Sequence, residues 1–394
     1  MALSDIYQKA SLVQIPSGYK AADDKLYSVV PSNGNGDFTI DSDADATRVN
    51  KDGLIESVVA DQARLNYNPS SPQDPHLLLE PTRTNECLYS KTLSSWSELN
   101  GGSLQTITDN DAIAPDGSLT ASTITFTDTG TSLLRQFSNK AYTSNKHSSS
   151  FYAKKISGNG SVFFGITDTE TEFTPTDEWI RYEVNNVTPT DFGTNLFLDL
   201  NFDCSEGDKI AVWGMQLEEG TYSTSIVKTA GSAVTRTVDK CLNAGDANLF
   251  NDSEGTLFVD LENFDATVRE LTLSDGSADN RITLLFYGST FGSPNRIRFY
   301  LTSDGSVQAD SLFAVSYTFN QRNKIAFKYK QNDFKAYING TQVFSDTNGN
   351  TPIGLSDFEF SDFNGTGGFI EGKIHQAMVF NEALTDSELQ TLTS

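Results

Sequence analysis

Cysteine and histidine are scarce in this sequence: 394 residues hold 3 of each. Cys87, Cys204 and Cys241 lie far apart, and an odd count without CxxC spacing supports neither a disulfide framework nor a zinc site. They read as buried, reduced thiols. His76, His147 and His375 do not pair at metal-ligand spacing, and no serine or cysteine nucleophile motif accompanies them. Bases are also few. Lys and Arg number 28 against 52 Asp and Glu, a formal net charge of −24. Without a basic stretch there is no platform to neutralise phosphates, so nucleic acid is excluded as a partner. The same sign disfavours an anionic membrane surface. No window is long and apolar enough for a membrane span, and MALSDIYQKASLVQIPSGYK contains no signal-peptide core. The expectation is a protein made in a cytoplasm without a signal peptide and not inserted in a membrane.

What is present points to β structure. There are 26 Phe and 14 Tyr, which suits thin layers where a few large rings fill the space between sheets. Gly, Asn, Asp, Ser and Thr, all turn formers, are abundant. In FKAYINGTQV (334–343), Phe334, Ala336 and Ile338 alternate with Lys335, Tyr337 and Asn339, the period of a half-buried strand. Asn339-Gly340 then supplies the φ > 0 pair of a type I′ turn, predicting a hairpin with one wet face. Strand-like runs separated by turn clusters recur through 91–235 (SLTASTITFTD, HSSSFYAKKI, KIAVWGMQLE) and again through 240–394 (GTLFVDLENF, RITLLFYGS, RIRFYLTSDG), without a fixed repeat period. Trp179 and Trp213 fall within alternating strands and read as core. Asp5 to Ala10 can form a short helix. Thr385 to Leu392 reads as a helix with a Thr385/Glu388 capping box. Residues 1–90 are irregular and loop-rich.

Three stretches resemble known proteins. KLYSVVPSNGNGDFTIDSDADATRVNKDGLIESV (25–58), with ARLNYNP and HLLLEPTRTNECLYS (76–90), is similar to an N-terminal segment of tailed-phage and prophage virion proteins. VWGMQLEEGTYSTSIVKTAGSAVTRTVD (212–239) resembles the exit of the carbohydrate-binding-module-like sandwich that commonly follows it. KIAFKYKQNDFKAYINGTQVFSD and GKIHQAMVFNEALTDSELQTL resemble the laminin-G-like or concanavalin-A-like jelly roll. The resemblance implies a virion surface protein, a fibre, adhesin or decoration, with glycan-binding-type sandwiches. It names no ligand.

Few residues invite chemistry. In DTETE (168–172), Asp168, Glu170 and Glu172 fall on one strand face, as paired acids do in jelly-roll glycoside hydrolases. The E-x-D-x-x-E spacing is missing, however, and Pro175 ends the strand, so an exposed acidic strand end is the plainer reading. DSDADATRVNKD (41–52) begins like a calcium loop, with Asp41, Asp43, Asp45 and then Asp52. Ala46 stands where the loop needs Gly, and no helices flank it. Asp109, Asp111 and Asp116 are a weaker oxygen set of the same kind. NGNG and NGTGG precede no strand-to-helix phosphate loop and read as turns.

The sequence therefore predicts a mostly β protein with two antiparallel β-sandwich (jelly-roll) domains, 91–239 and 240–394, after an irregular attachment and oligomerisation segment, 1–90. No catalytic residue and no cofactor are expected, a structural calcium at the Asp41 loop aside. The expected role is a virion-surface fibre or adhesin, made in the host cytoplasm, that binds host-surface polysaccharide. Its partners would be other virion proteins reached through residues 1–90 and copies of itself, as a trimer. The alternatives are a polysaccharide depolymerase using the 168–172 acids, or a capsid or tail decoration with no ligand. The apolar pieces Leu54, Ile55, Val58, Val59 and Leu77 to Leu79 are expected to stay uncovered within one chain and so to mark the interface.

Overall fold

In the computed structural model, residues 3–20, 25–42, 46–68, 71–100, 104–167, 169–191, 193, 195–265, 267–289, 291–292 and 294–394 are described. The chain divides into two compact units, one of Met1–Asp43, Val59–Pro81 and Val238–Ser394, the other of Ala44–Val58 and Thr82–Thr237.

The first unit, which holds the C-terminus, is a two-sheet antiparallel sandwich. One sheet runs, in spatial order, Thr341–Asp346, Phe334–Ile338, Arg322–Lys330, Glu254–Asn263, Gly372–Phe380, Ser71–Leu79, Leu65–Asn68, with Ala10–Gln14 also paired to Gly372–Phe380. The other runs Ser306–Asp310, Arg296–Ser303, Arg281–Tyr287, Val268–Ser274, Asp357–Glu359, with Val315–Ser316 added to Arg296–Ser303. Alternation sends Leu257, Val259, Leu261, Ile325 and Phe327 inward from the first sheet, against Leu271, Leu284, Phe286, Phe299 and Leu301 from the second.

The Asn339-Gly340 hairpin forms as its residues dictate, with Ile338 opposite Thr341 and φ of 47° and 78° at the two turn residues. Its expected wet face is a correction. Tyr337 is buried with Phe258, Ala326, Met378 and Phe380 on the outer side of the sheet, beneath Leu389 and Leu392 of helix Asp386–Thr393 and Ile6 of helix Leu3–Tyr7. Two short helices thus cover the apolar part of this outer face, while Arg322, Lys330 and Asp74 on the same sheet stay exposed. The C-terminal helix starts as read: Thr385 accepts from the Glu388 N–H, and Glu388 accepts from the Thr385 N–H in return. The first helix is shorter than expected and gives way to a strand at Ala10.

Residues 1–90 do not stand apart. Residues 44–58 and 82–90 fold with the second unit, and the rest with the first. The uncovered leucines are a second correction. Leu77, Leu78 and Leu79 pair with Ile374, Lys373 and Gly372 and are buried in this same chain, as is Leu12 opposite Val379. Strand Gly372–Phe380 would otherwise be a bare sheet edge, and two N-terminal strands in tandem complete it. Ile55 and Val58 are likewise buried, while Leu54 and Val59 stay exposed. A buried charge cluster fastens the segment: Arg64 donates to Glu80 at 2.7 Å and to Asp239, and the Glu80 N–H donates to Asp239 at 2.7 Å. The burial that penalises these charges separately is offset only while all three are present.

The second unit holds two five-stranded antiparallel sheets. One is Ser97–Asn100, Gly130–Ala141, Asn195–Cys204, Ser161–Ile166, Thr169–Phe173; the other is Gln105–Ile113, Leu119–Phe126, Lys209–Glu219, His147–Ser157, Ile180–Val187. Phe126, Phe151, Phe164, Leu200 and Phe202 fill the space between them. Trp213 is fully buried beside Ile55, Ala121 and Ile226, with Trp179 half-buried at the rim of that cluster. All three cysteines are buried and free. Burial pushes the Cys87 and Cys241 thiols well up, which keeps them protonated and inert.

Candidate functional site

Helices cover the apolar part of the outer side of the eight-stranded sheet, and the outward face of the six-stranded sheet is the other broad face of the first unit. Along Val268–Ser274, Arg281–Tyr287 and Arg296–Ser303 the inward residues are Leu, Ile and Phe, so Glu270, Thr272, Arg281, Thr283, Tyr287, Arg298 and Tyr300 point outward. Register sets them in rows. Glu359, Thr272, Thr283, Tyr300 and Asp310 lie side by side; Arg281 lies between Ser274 and Thr302; Leu285 separates Glu270 from Arg298.

Arginines and rings interleave there. Arg298 forks the Asp310 carboxylate with bonds of 2.8 and 2.6 Å and lies over Tyr300 at 4.6 Å and Phe313 at 5.8 Å. That carboxylate bond comes first among the causes that raise the Arg298 pKa. Tyr287, Phe291 and Phe313 form a cluster with ring centroids 4.5, 5.0 and 6.0 Å apart. At its rim Phe291 is 36% exposed, Phe313 39% and Leu312 61%. Leu312 has φ 50°, a left-handed conformation that disfavours a leucine by about 1 kcal/mol or more, and its N–H is held by Asp310 at 2.7 Å. Arg281 lies over Tyr300 at 5.4 Å and over Phe363 at 5.0 Å. Phe363 comes from the loop after Asp357–Glu359, which returns across the face: the Glu270 N–H donates to the Gly368 carbonyl at 2.7 Å.

Burial raises the carboxyl pKa of Glu270, with Arg281 opposing it and Asp362 adding to it. Burial also raises that of Glu359, against a 3.0 Å bond from the Ser361 hydroxyl. Glu359 is 4% exposed, so a polymer cannot reach it. The face offers rings, fixed hydroxyls and cations for recognition. Its acids are Glu359, which is buried, and Glu270 and Asp362, which are half-buried.

Few sequence-singled residues come together. Asp43, Asp45 and Asp168 lie outside the described residues. Asp41 pairs with Lys240 at 2.6 Å; Asp52 falls in the other unit. Asp109 accepts from Leu93, Ser94 and Ser122, and these bonds bring its pKa down despite burial, which raises it. Asp111 pairs with Lys209 at 2.8 Å and Asp116 with Lys228 at 3.2 Å. Among the described residues no group of three or more His, Cys, Asp and Glu is arranged to hold a metal. Glu170 and Glu172 share one face of Thr169–Phe173, an edge strand. On the same sheet Arg135 forks Asp199 at 2.6 Å and stacks at 3.7 Å over Phe197, beside exposed Phe137. The outward set Arg281, Arg298 and Tyr300 was legible only as the off-beat positions of RITLLFY and RIRFYL.

Residues 246–390, which contain this face, match the family model described as the Concanavalin A-like lectin/glucanases superfamily. The C-terminal part of the chain is thus a concanavalin A-like, laminin G-like jelly-roll domain. No curated protein matches the chain. Among solved structures it is similar to the NanB sialidase from Streptococcus pneumoniae in its K499G form (17% identity, TM-score 0.31), over 37% of this chain and 25% of that one. It is similar to the Ruminococcus gnavus IT-sialidase CBM40 bound to α2,3-sialyllactose (17%, TM-score 0.31), over 39% and 94%. It is also similar to domain 4 of AbnA, a GH43 extracellular arabinanase from Geobacillus stearothermophilus, in complex with arabinotriose (18%, TM-score 0.32), over 45% and 83%. The chain spans about a quarter of the NanB length.

Proposed function

We propose that this protein is a non-catalytic glycan-binding component of a phage virion surface, and that it binds through the outward face of the six-stranded sheet. The observation that carries the glycan part is the exposed ring edge of Phe291 and Phe313 continuing into Tyr300, Arg298 and Arg281. A sugar has an apolar C–H face and a rim of hydroxyls, so it needs a flat ring beside fixed donors and acceptors. The lectin-type family match supports this reading. The virion part is supported by the resemblance of residues 25–58 and 76–90. One such contact is weak, and linked copies raise avidity through effective concentration. Attachment through the N-terminal segment and a trimer go with this reading. Leu77 to Leu79 are spent within the chain, so Leu54, Val59 and other exposed positions would have to serve.

The test is a glycan array with the intact protein and its Phe313→Ala and Tyr300→Ala variants. Binding to at least one host-surface polysaccharide, weakened about tenfold or more in both variants, is expected. A protein that binds no glycan supports a decoration role instead. Release of reducing ends from such a polysaccharide would make it a depolymerase.

A further inference from the structure

Every other arginine of this chain donates at least one hydrogen bond: Arg298, Arg135 and Arg322 fork carboxylates, Arg64 and Arg48 reach glutamates, and Arg83, Arg181, Arg236, Arg269 and Arg296 find hydroxyls or carbonyls. Arg281 is different. It is half-buried, its Nε is shut off from solvent without a partner, and its contacts are the Tyr300 and Phe363 rings. Two of the acids nearby are committed elsewhere, and a third, half-buried Glu270, meets Arg281 through charge without a hydrogen bond. Asp362 accepts from the Thr366 N–H at 2.9 Å and Glu359 from the Ser361 hydroxyl at 3.0 Å.

A guanidinium in this state is half desolvated, neighboured by two rings and left with its fork of donors unused. We infer that Arg281 receives the carboxylate of an acidic sugar, making the ligand a carboxylate-bearing glycan. This rests on the glycan reading above and specifies its substrate class. The planar two-oxygen edge of a carboxylate matches the guanidinium fork. The rings fix the side chain beforehand, so little rotamer freedom is lost on binding. Tyr300 and the Phe291–Phe313 edge then lie in position for the rest of the sugar chain.

Titration calorimetry decides, using matched oligosaccharides that differ at one position: neutral hydroxymethyl, carboxylate (a uronic acid), and sulfate ester. The intact protein is expected to prefer the carboxylate over the neutral form by about tenfold or more. R281Q should bring that ratio close to one, and R281K should lose most of it, because a point charge does not replace a fork. Removing Arg281 strands no hydrogen-bond acceptor but takes a countercharge from Glu270, so R281K should melt as the parent does and R281Q slightly below it; F363L, which removes one wall, should narrow the preference without touching the charge. Equal affinity for neutral and carboxylated forms overturns the inference and leaves glycan binding intact. Equal or tighter binding of the sulfate overturns the carboxylate assignment. Binding to none of the three overturns the inference along with the glycan reading on this set.

Discussion

At the residue scale, the first unit carries its own acid sensitivity. His76 is buried, with its Nε2 3.2 Å from the Asn66 amide nitrogen, which can only donate, so that imidazole nitrogen must be unprotonated. Burial lowers its pKa to about 3, helped by His375, whose ring lies 5.6 Å away. A histidine whose folded pKa is depressed contributes stability that is complete above its unfolded value of about 6.5 and is lost as pH falls toward the folded value. Between pH 7 and pH 4.5 this group alone should lower unfolding free energy by roughly 2–3 kcal/mol. Denaturant titrations at the two pH values should show that loss, and H76Q should show most of it gone. An unchanged pH dependence in H76Q would place the acid sensitivity elsewhere. Nothing in the sequence around His76 announced this, because burial of an imidazole depends on which strand lies above it.

At the element scale, local signals were reliable and pairing partners were not. The Asn339-Gly340 turn and the Thr385/Glu388 capping box depend on residues three or four apart at most, and both form as read. The N-terminal strands could not be matched in that way. LVQ and HLLL are ordinary apolar pieces until Gly372–Phe380 presents an edge more than 290 positions away. Since Leu12 and Leu77 belong to the same core as Leu257 and Phe327, L12A and L77A should each destabilise the first unit by about 2–5 kcal/mol. The loss should be the same at every protein concentration. A variant that altered only the assembly state, with unfolding untouched, would return these leucines to an intermolecular role.

For the whole molecule, the governing quantity is its charge of −24. A long-range field of that sign repels an acidic glycan before any local contact with Arg281 can form. Screening shortens that repulsion to about 10 Å at 0.1 M salt, while a half-buried guanidinium–carboxylate fork is screened much less. The association rate for a uronic-acid oligosaccharide should therefore rise severalfold between about 10 and 150 mM NaCl, the reverse of a basic lectin. Surface-binding kinetics at the two salt concentrations would show it, and a rate that falls with salt would mean that a local positive field prevails.

Period-two alternation, turn residues with φ > 0, helix caps and net charge are properties of neighbouring residues or of plain composition. The sequence alone therefore determined an antiparallel β protein, its hairpin and its final helix. An alternating strand has two faces, however, and the pattern does not say what will cover each. Only the tertiary structure decided that two terminal helices cover the apolar part of one sheet's outer face, that the N-terminal strands close its edge, and that Arg281 meets both Tyr300 and Phe363. Those outcomes follow from competition among distant segments to bury apolar surface and satisfy open sheet edges. They have no local signature because their partners are far apart in the chain.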